Sequence, residues 1–271
     1  MKDAVHTKIQ YWGWNKAARF YDNLWQKQLK HSQEELLKMA KVNPDEKVLD
    51  ICCGSGLVTF HMAKTIQTAN ITGIDFSEEM IEIASNEAKK KGLKNIRFEK
   101  MNAENLSFSD AQFDVTINAL GLMYLANPLN AIREMDRGLQ PGGRAMVLVW
   151  GARKNCGWAE IFPIVDRRVT TETCPLFFQQ GTGHTLQNSF ELAGFAEIEE
   201  IRINDPIHFK NEQEAADAML VGGPMALAWS RFSNDTKKAV RNEYLESLVP
   251  WKNGSGYYIP AEFVIVKGYR K

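Results

Sequence analysis

The sequence has no excess of either charge, with 33 lysines and arginines against 33 aspartates and glutamates. Without a global positive field, no long-range pull toward a nucleic-acid backbone or an anionic bilayer is expected. Also missing is any uninterrupted apolar run near the roughly 20 residues that a membrane-spanning helix needs. The stretch MKDAVHTKIQYWGW has no hydrophobic segment of signal-peptide type, so the expectation is a cytoplasmic protein with no membrane insertion. Cysteine is scarce and badly spaced for a framework. Cys52 and Cys53 are adjacent while Cys156 and Cys174 lie far off, which fits neither a set of disulfides nor a paired zinc spacing. The histidines His6, His31, His61, His184 and His208 are scattered, none with another at helical spacing, and no metal is expected. What is present is an ordinary globular composition, 44% apolar and 24% charged over 271 residues, for which small-molecule chemistry is the better prior.

Helices and strands alternate along the chain. Trp14, Ala17, Ala18, Tyr21, Leu24 and Trp25 share a helical stripe, and SQEELLKMA reads as a fresh helix start at Ser32 with Glu35 three residues on. KVLDI reads as a buried strand, followed by a helix from about Leu57 to Thr65 and a second strand, ANITGID. Ser77 is placed to cap the next helix. Strands near NIRFEK and FDVTIN follow, then a helix opened by Asn127 and Pro128, and a PGG turn into RAMVLVW. Five strands separated by helices imply a doubly wound, Rossmann-like, mostly parallel sheet, with later strands at FAEIEEIRI and EFVIVKGY bringing it to seven. Residues 1–45 form a helical N-terminal arm, 46–150 a cofactor-binding core, and 151–271 the C-terminal half of the same domain. Two insertions, about 151–180 and 206–258, hold the aromatics Trp158, Phe162, Phe177, Phe178, Trp229 and Trp251 and read as a helical lid over an apolar acceptor.

In such a sheet a ligand binds beyond the carboxyl ends of the strands, where the strand order reverses. Gly54 and Gly56 stand at one such end, where the lack of side chains admits a ligand to the backbone and to a helix N-terminus. Asp75 ends the second strand, the place from which a carboxylate takes ribose hydroxyls. Both nicotinamide enzymes and methyltransferases use this layout. A dinucleotide fingerprint needs a third glycine where this chain has Thr59.

The stretch VLDICCGSG resembles the first motif of class I S-adenosylmethionine-dependent methyltransferases, a strand and an acid, Asp50, before alternate glycines. Cys52 replaces the first of those glycines. GIDFSEEMIEIA is similar to the acidic loop of that family, with Asp75 as the ribose carboxylate, and MNAENLSF to its adenine-side loop, with Asn102 in place of the usual aspartate. The run from Phe113 to Trp150 resembles the group that includes the ubiquinone/menaquinone biosynthesis enzymes. The resemblance implies S-adenosylmethionine as cofactor and a cofactor-binding set of Tyr21, Asp50, Cys52, Gly54, Gly56, Asp75, Phe76, Met80, Asn102, Ala103, Glu104 and Asn118. Tyr21, in AARFYDNLW, either meets the methionine end of the cofactor or is a core aromatic.

The function expected is transfer of a methyl group to a small, apolar or aromatic organic acceptor by direct displacement. No residue is assigned as catalytic, the candidates being His184 and Tyr21, with a capping or surface role the alternative for His184. The rival readings are a nicotinamide-dependent oxidoreductase and a non-catalytic S-adenosylmethionine-binding protein. INALGLMYL lacks the proline-rich motif of base-amine methyltransferases, so no nucleic-acid partner is expected.

Overall fold

The computed structural model describes residues 2–171 and 173–271. A single helix, α1 (Lys2–Ala40), opens the chain. The start expected at Ser32 is absent, because its hydroxyl donates to the carbonyl of Leu29 at 3.0 Å and the side chain is fully buried. A serine that bonds back into the preceding turn leaves the helix continuous. Then come β1 (Lys47–Ile51), α2 (Leu57–Thr65), β2 (Asn70–Asp75), α3 (Glu78–Lys90), β3 (Ile96–Lys100), β4 (Phe113–Ala119), α4 (Pro128–Gly138) and β5 (Leu139–Trp150). Ser77 does cap α3, accepting from Met80 N at 3.2 Å. The PGG segment is not a turn ahead of β5 but lies inside it. Partners jump from Phe113↔Leu139 to Val115↔Arg144, a bulge in which Gly142 takes φ 77°.

The second half holds α5 (Ile161–Asp166), α6 (Thr185–Ala193), β6 (Ala196–Asn204), β7 (Ile207–Phe209), α7 (Glu212–Leu220), α8 (Ala226–Arg231), α9 (Asn234–Ser247), β8 (Lys252–Asn253), β9 (Gly256–Ile259) and β10 (Glu262–Tyr269). The main sheet has seven strands in the order β3-β2-β1-β4-β5-β10-β6, and β10 runs antiparallel to both neighbours. Strand order reverses between β1 and β4, where the parallel-sheet rule puts the ligand. A small sheet, β7-β9-β8, was not legible in the sequence. Its strands are two to four residues long, too short to carry a period.

Buried faces follow the elements. Val48, Leu49, Ile51, Val115 and Ile117 are all fully buried at the sheet centre, and Ala131, Ile132 and Met135 on α4 cover one side. The insertion after β6 is anchored to α1. Trp25 Nε1 donates to the carbonyls of Ala218 and Gly222 at 3.2 and 3.0 Å, and Gln28 Oε1 accepts from His208 N at 2.8 Å. Gly222 leaves room for Leu24, whose Cδ1 would stand 2.5 Å from a Cβ there and would have to shift. Among the described residues no helix is long and apolar enough to cross a membrane.

Candidate active site

After β1 the chain turns through three left-handed residues at alternate positions, Cys52 (φ 58°), Gly54 (φ 55°) and Gly56 (φ 91°). The two glycines serve different ends. A Cβ on Gly56 would meet the Phe60 ring at 2.8 Å and that of Phe98 at 3.1 Å, so its absence lets α2 pack. Gly54 has room around it, its hypothetical Cβ meeting nothing nearer than Met80 Sδ at 3.9 Å, and its open side forms wall of the cleft. Cys52 occupies a glycine-like conformation with a side chain attached, and a glycine elsewhere makes the space. A Cβ on Gly121, after β4, would lie 2.3 Å from the Cβ of Cys52. Gly73 on β2 makes room for two neighbours, since a Cβ there would meet the Phe98 ring at 2.6 Å and the sulfur of Cys53 at 3.0 Å. Burial pushes both thiols well above their ordinary range, so they sit as neutral packing groups and not as nucleophiles.

Two carboxylates face each other across this turn. Asp50, 1% exposed, accepts from Thr59 Oγ1 at 2.6 Å, while its Oδ1 has no partner among the described residues. Burial, opposed by the Thr59 bond, pushes the Asp50 carboxyl up to about 7. Thr59 stands where a dinucleotide site would need its third glycine, and here it holds the acid. Asp75 accepts from Gly54 N at 2.9 Å and Ser77 N at 2.8 Å, which locks the end of β2 to the turn after β1. Its carboxyl is also raised, by burial first, against those backbone bonds. Over both loops lies α1. Asn15 Oδ1 accepts from Ser77 Oγ at 2.6 Å, Asp22 accepts from Ser55 Oγ, and Tyr11 packs edge-on to Phe76 at 5.2 Å.

The result is a cleft whose wall includes Tyr21, Asp50, Cys52, Gly54, Asp75, Phe76, Met80 and Glu104. Beyond it is a second, much smaller chamber that shares Trp14, Tyr21, Leu120 and Tyr124 with the cleft. Its remaining wall is drawn from Trp25, Trp150, Trp158, Phe177, Met219 and Pro224, among others. The rings interlock, Trp14 against Tyr124 at 4.8 Å, Tyr124 against Phe177 at 5.5 Å and Trp158 against Phe177 at 5.5 Å. Tyr21, open between two readings in the sequence, is half-buried on the wall of both spaces. Desolvation, with Asp22 and Asp75 nearby, pushes its phenol well up, so it holds its proton.

Five residues expected at the site stand elsewhere. Gly56 is the packing glycine just described. Asn102 Oδ1 accepts from Glu104 N at 3.0 Å, an Asx turn that shapes the loop, and Ala103 is buried in the core. Asn118 is fully buried and braces the loop after β4, donating to the carbonyl of Ile51 at 3.1 Å and accepting from Gly121 N and Leu122 N. His184 precedes α6 with its side chain 72% exposed, 3.1 Å from Glu200, and is not part of the cleft wall. Missing from the expectation were Trp14, Leu120, Gly121 and Tyr124, all on the wall. The last three follow β4 beside the order reversal, which was the available signal.

Residues 42–160 match the family model for the methyltransferase domain. The ubiquinone/menaquinone biosynthesis C-methyltransferase UbiE of Bdellovibrio bacteriovorus is 35% identical over 129 residues, 48% of this chain and 52% of that protein. The chain thus spans about half the length of the curated relatives it matches. Among solved structures, YcgJ of Bacillus subtilis superposes with a TM-score of 0.64 at 22% identity, covering 89% of this chain and 99% of that one. The cyclase SpnF superposes at 0.61 and 19% identity, covering 91% of this chain and 82% of its own. These two likenesses speak of the fold, which hosts more than one chemistry. The sequence match and the site agree: residues 42–160 match the methyltransferase domain, and the chain resembles the class I S-adenosylmethionine-dependent methyltransferases of the ubiquinone/menaquinone group.

Proposed function

We propose that the chain transfers the methyl group of S-adenosylmethionine to a small apolar acceptor held in the aromatic chamber. The observation that carries this reading is the junction of the two spaces, a cleft with the carboxylates of Asp50 and Asp75 on its wall and a ring-lined chamber, with Tyr21 and Tyr124 in the wall of both. The cleft suits the cofactor. The partnerless Oδ1 of Asp50 is a buried acceptor that matches a ligand ammonium, and Asp75 offers a carboxylate beside the open backbone of Gly54 to a ribose diol. When bound, S-adenosylmethionine supplies a methyl carbon already activated by its sulfonium. The protein's work is then to align an acceptor behind that carbon and keep water out, and alignment alone supplies up to roughly 7–11 kcal/mol.

The chamber as it stands is narrow, with free room for little more than a water molecule, so an acceptor ring enters from the cleft as the side chains around it give way; its wall is apolar apart from tyrosine hydroxyls and indole N–H groups. The Bdellovibrio relative is named for ubiquinone/menaquinone biosynthesis, and a neutral ring of quinone type is an acceptor that this wall suits. A nucleic-acid acceptor is disfavoured by the balanced charge. Four unpaired cysteines fit a reducing compartment such as the cytoplasm. Nothing among the described residues favours the nicotinamide reading. The test is incubation of the purified chain with methyl-labelled S-adenosylmethionine and ring acceptors, beside calorimetry with S-adenosylhomocysteine. Labelled product is expected. Binding of S-adenosylhomocysteine with no transfer to any acceptor would instead favour the non-catalytic binding protein, and binding of NADH in its place would sink the reading.

A further inference from the structure

The outer face of α1 does not share the neutrality of the chain. From Ala4 to His31 its exposed positions are Ala4, Val5, Lys8, Trp12, Lys16, Arg19, Asn23, Gln26, Lys27, Lys30 and His31, with five lysines or arginines and no acid. In a chain whose opposite charges balance, 33 against 33, that is a local segregation that composition averages away. Val5, Lys8, Trp12, Lys16 and Arg19 follow one another at intervals of three or four, so they form a single stripe. Two of the few large apolar side chains that the molecule exposes lie on it, Val5 at 47% and Trp12 at 53%. The opposite face is committed to the interior, with Trp14 and Tyr21 in the walls of the cleft and chamber and Trp25 tied to the end of α7.

We propose that this face docks the protein on an anionic lipid surface. A helix in an interface plane combines lysine and arginine with an aromatic that is apolar in body and polar at its tip, and Trp12 among Lys8, Lys16 and Arg19 has that make-up. The exposed apolar pair favours lipid over nucleic acid, for which bare charge would suffice. The neighbouring α3 brings the exposed acids Glu78, Glu79 and Glu82, of which Glu78 is paired with Lys100 at 2.9 Å, while α8, also packed on α1, adds Arg231. Docking would set the helix that roofs the site against the bilayer, the phase in which an apolar acceptor concentrates. The inference does not depend on the reaction proposed above, because no residue of the stripe lies in the wall of either space.

The experiment is co-sedimentation of the full chain with vesicles of phosphatidylglycerol and phosphatidylcholine, against phosphatidylcholine alone. Wild type is expected on the anionic vesicles only, and released by salt. Charge reversal at Lys8→Glu, Lys16→Glu and Arg19→Glu together is expected to weaken that binding by well over tenfold, at roughly fivefold per neutralised charge near the surface. Trp12→Ala is expected to weaken it a few-fold. Melting temperature and S-adenosylhomocysteine binding of the same variants show that the fold and cleft are intact. Wild type left in the supernatant, or variants that sediment as well as wild type, would overturn the proposal. So would preferential binding of duplex DNA, or a dimer that Trp12→Ala dissociates.

Discussion

Between β1 and β2 the wall of the cleft is shaped by main chain, with Gly54 N and Ser77 N both pinned to Asp75, whereas beyond Tyr21 the wall is apolar side chain, most of it aromatic. The first wall presents fixed dipoles and two raised carboxylates in positions set by strand ends. The second is assembled from four separate stretches, α1, residues 120–124, residues 150–177 and residues 219–224. Binding a constant ligand calls for the former. A chamber made of interchangeable side chains can be reshaped for a different acceptor without disturbing the turn after β1.

Phe177 should part the two walls most sharply. It is 2% exposed in the chamber wall, and Phe177→Ala is expected to cost about 3–5 kcal/mol of stability, as buried phenylalanines do. In the variant that remains folded at low temperature, S-adenosylhomocysteine affinity should stay within about threefold, since a residue outside the cleft makes no contact with that ligand. Weakened cofactor binding without loss of melting temperature would erase the division. Phe178 and Trp229, aromatics of the same insertions, do not line the chamber, so their truncation should affect stability and not acceptor use.

Asp75→Ala attacks the main-chain wall. It should cost about 1.5–3 kcal/mol of S-adenosylhomocysteine affinity, the worth of hydrogen bonds to a charged group, read by calorimetry on a folded variant. An unchanged dissociation constant would remove Asp75 from the ribose site. The packing of the turn can be tested next. Gly121 has φ −103°, a conformation open to alanine, so Gly121→Ala is penalised only by its clash with Cys52, at about 1–3 kcal/mol. Cys52→Gly in the same chain should restore most of that loss, and simple additivity of the two changes would disprove the pairing.

The raised carboxyl of Asp50 gives a pH signature. Its folded value of about 7 lies above the ordinary 3.8, so between those limits the native state holds the extra proton. Stability of the ligand-free protein should therefore fall as pH rises through that window, and Asp50→Asn should flatten the fall. Binding of an ammonium-bearing ligand favours the ionised form, so S-adenosylhomocysteine affinity should rise about tenfold from pH 6 to 8, then level off. A flat profile in wild type would take Asp50 out of the site. The smallest effect is expected from Cys53→Ala, which removes one buried sulfur beside Gly73. It should keep most activity and lose about 1 kcal/mol of stability at most.

Strand ends and caps were legible because they depend on near neighbours in sequence. Ser77 caps α3 as read, α2 runs over the expected residues, and Asp75 ends β2. The reading of Ser32 as a helix start failed because burial, which a local motif does not record, let its hydroxyl bond back to Leu29. Asn102 and Asn118 show a different effect. Both carry amides suited to a ligand, yet loop geometry engages them with Glu104 N, Gly121 N and Leu122 N.

By itself the sequence determined the alternation of strand and helix, the order Asp50, Gly54, Gly56, Asp75, and hence the class of cofactor site, because periodicity and turn chemistry act over a few residues. Only the tertiary structure decided that Gly121 makes room for Cys52 and Gly73 for Phe98 and Cys53, that Trp14, Tyr124 and Phe177 close one chamber, and that the exposed side of α1 is basic. Each of these joins residues far apart in the chain, or sorts neighbours by the direction they face. Contact and exposure of that kind arise when the elements pack, and no local pattern encodes them.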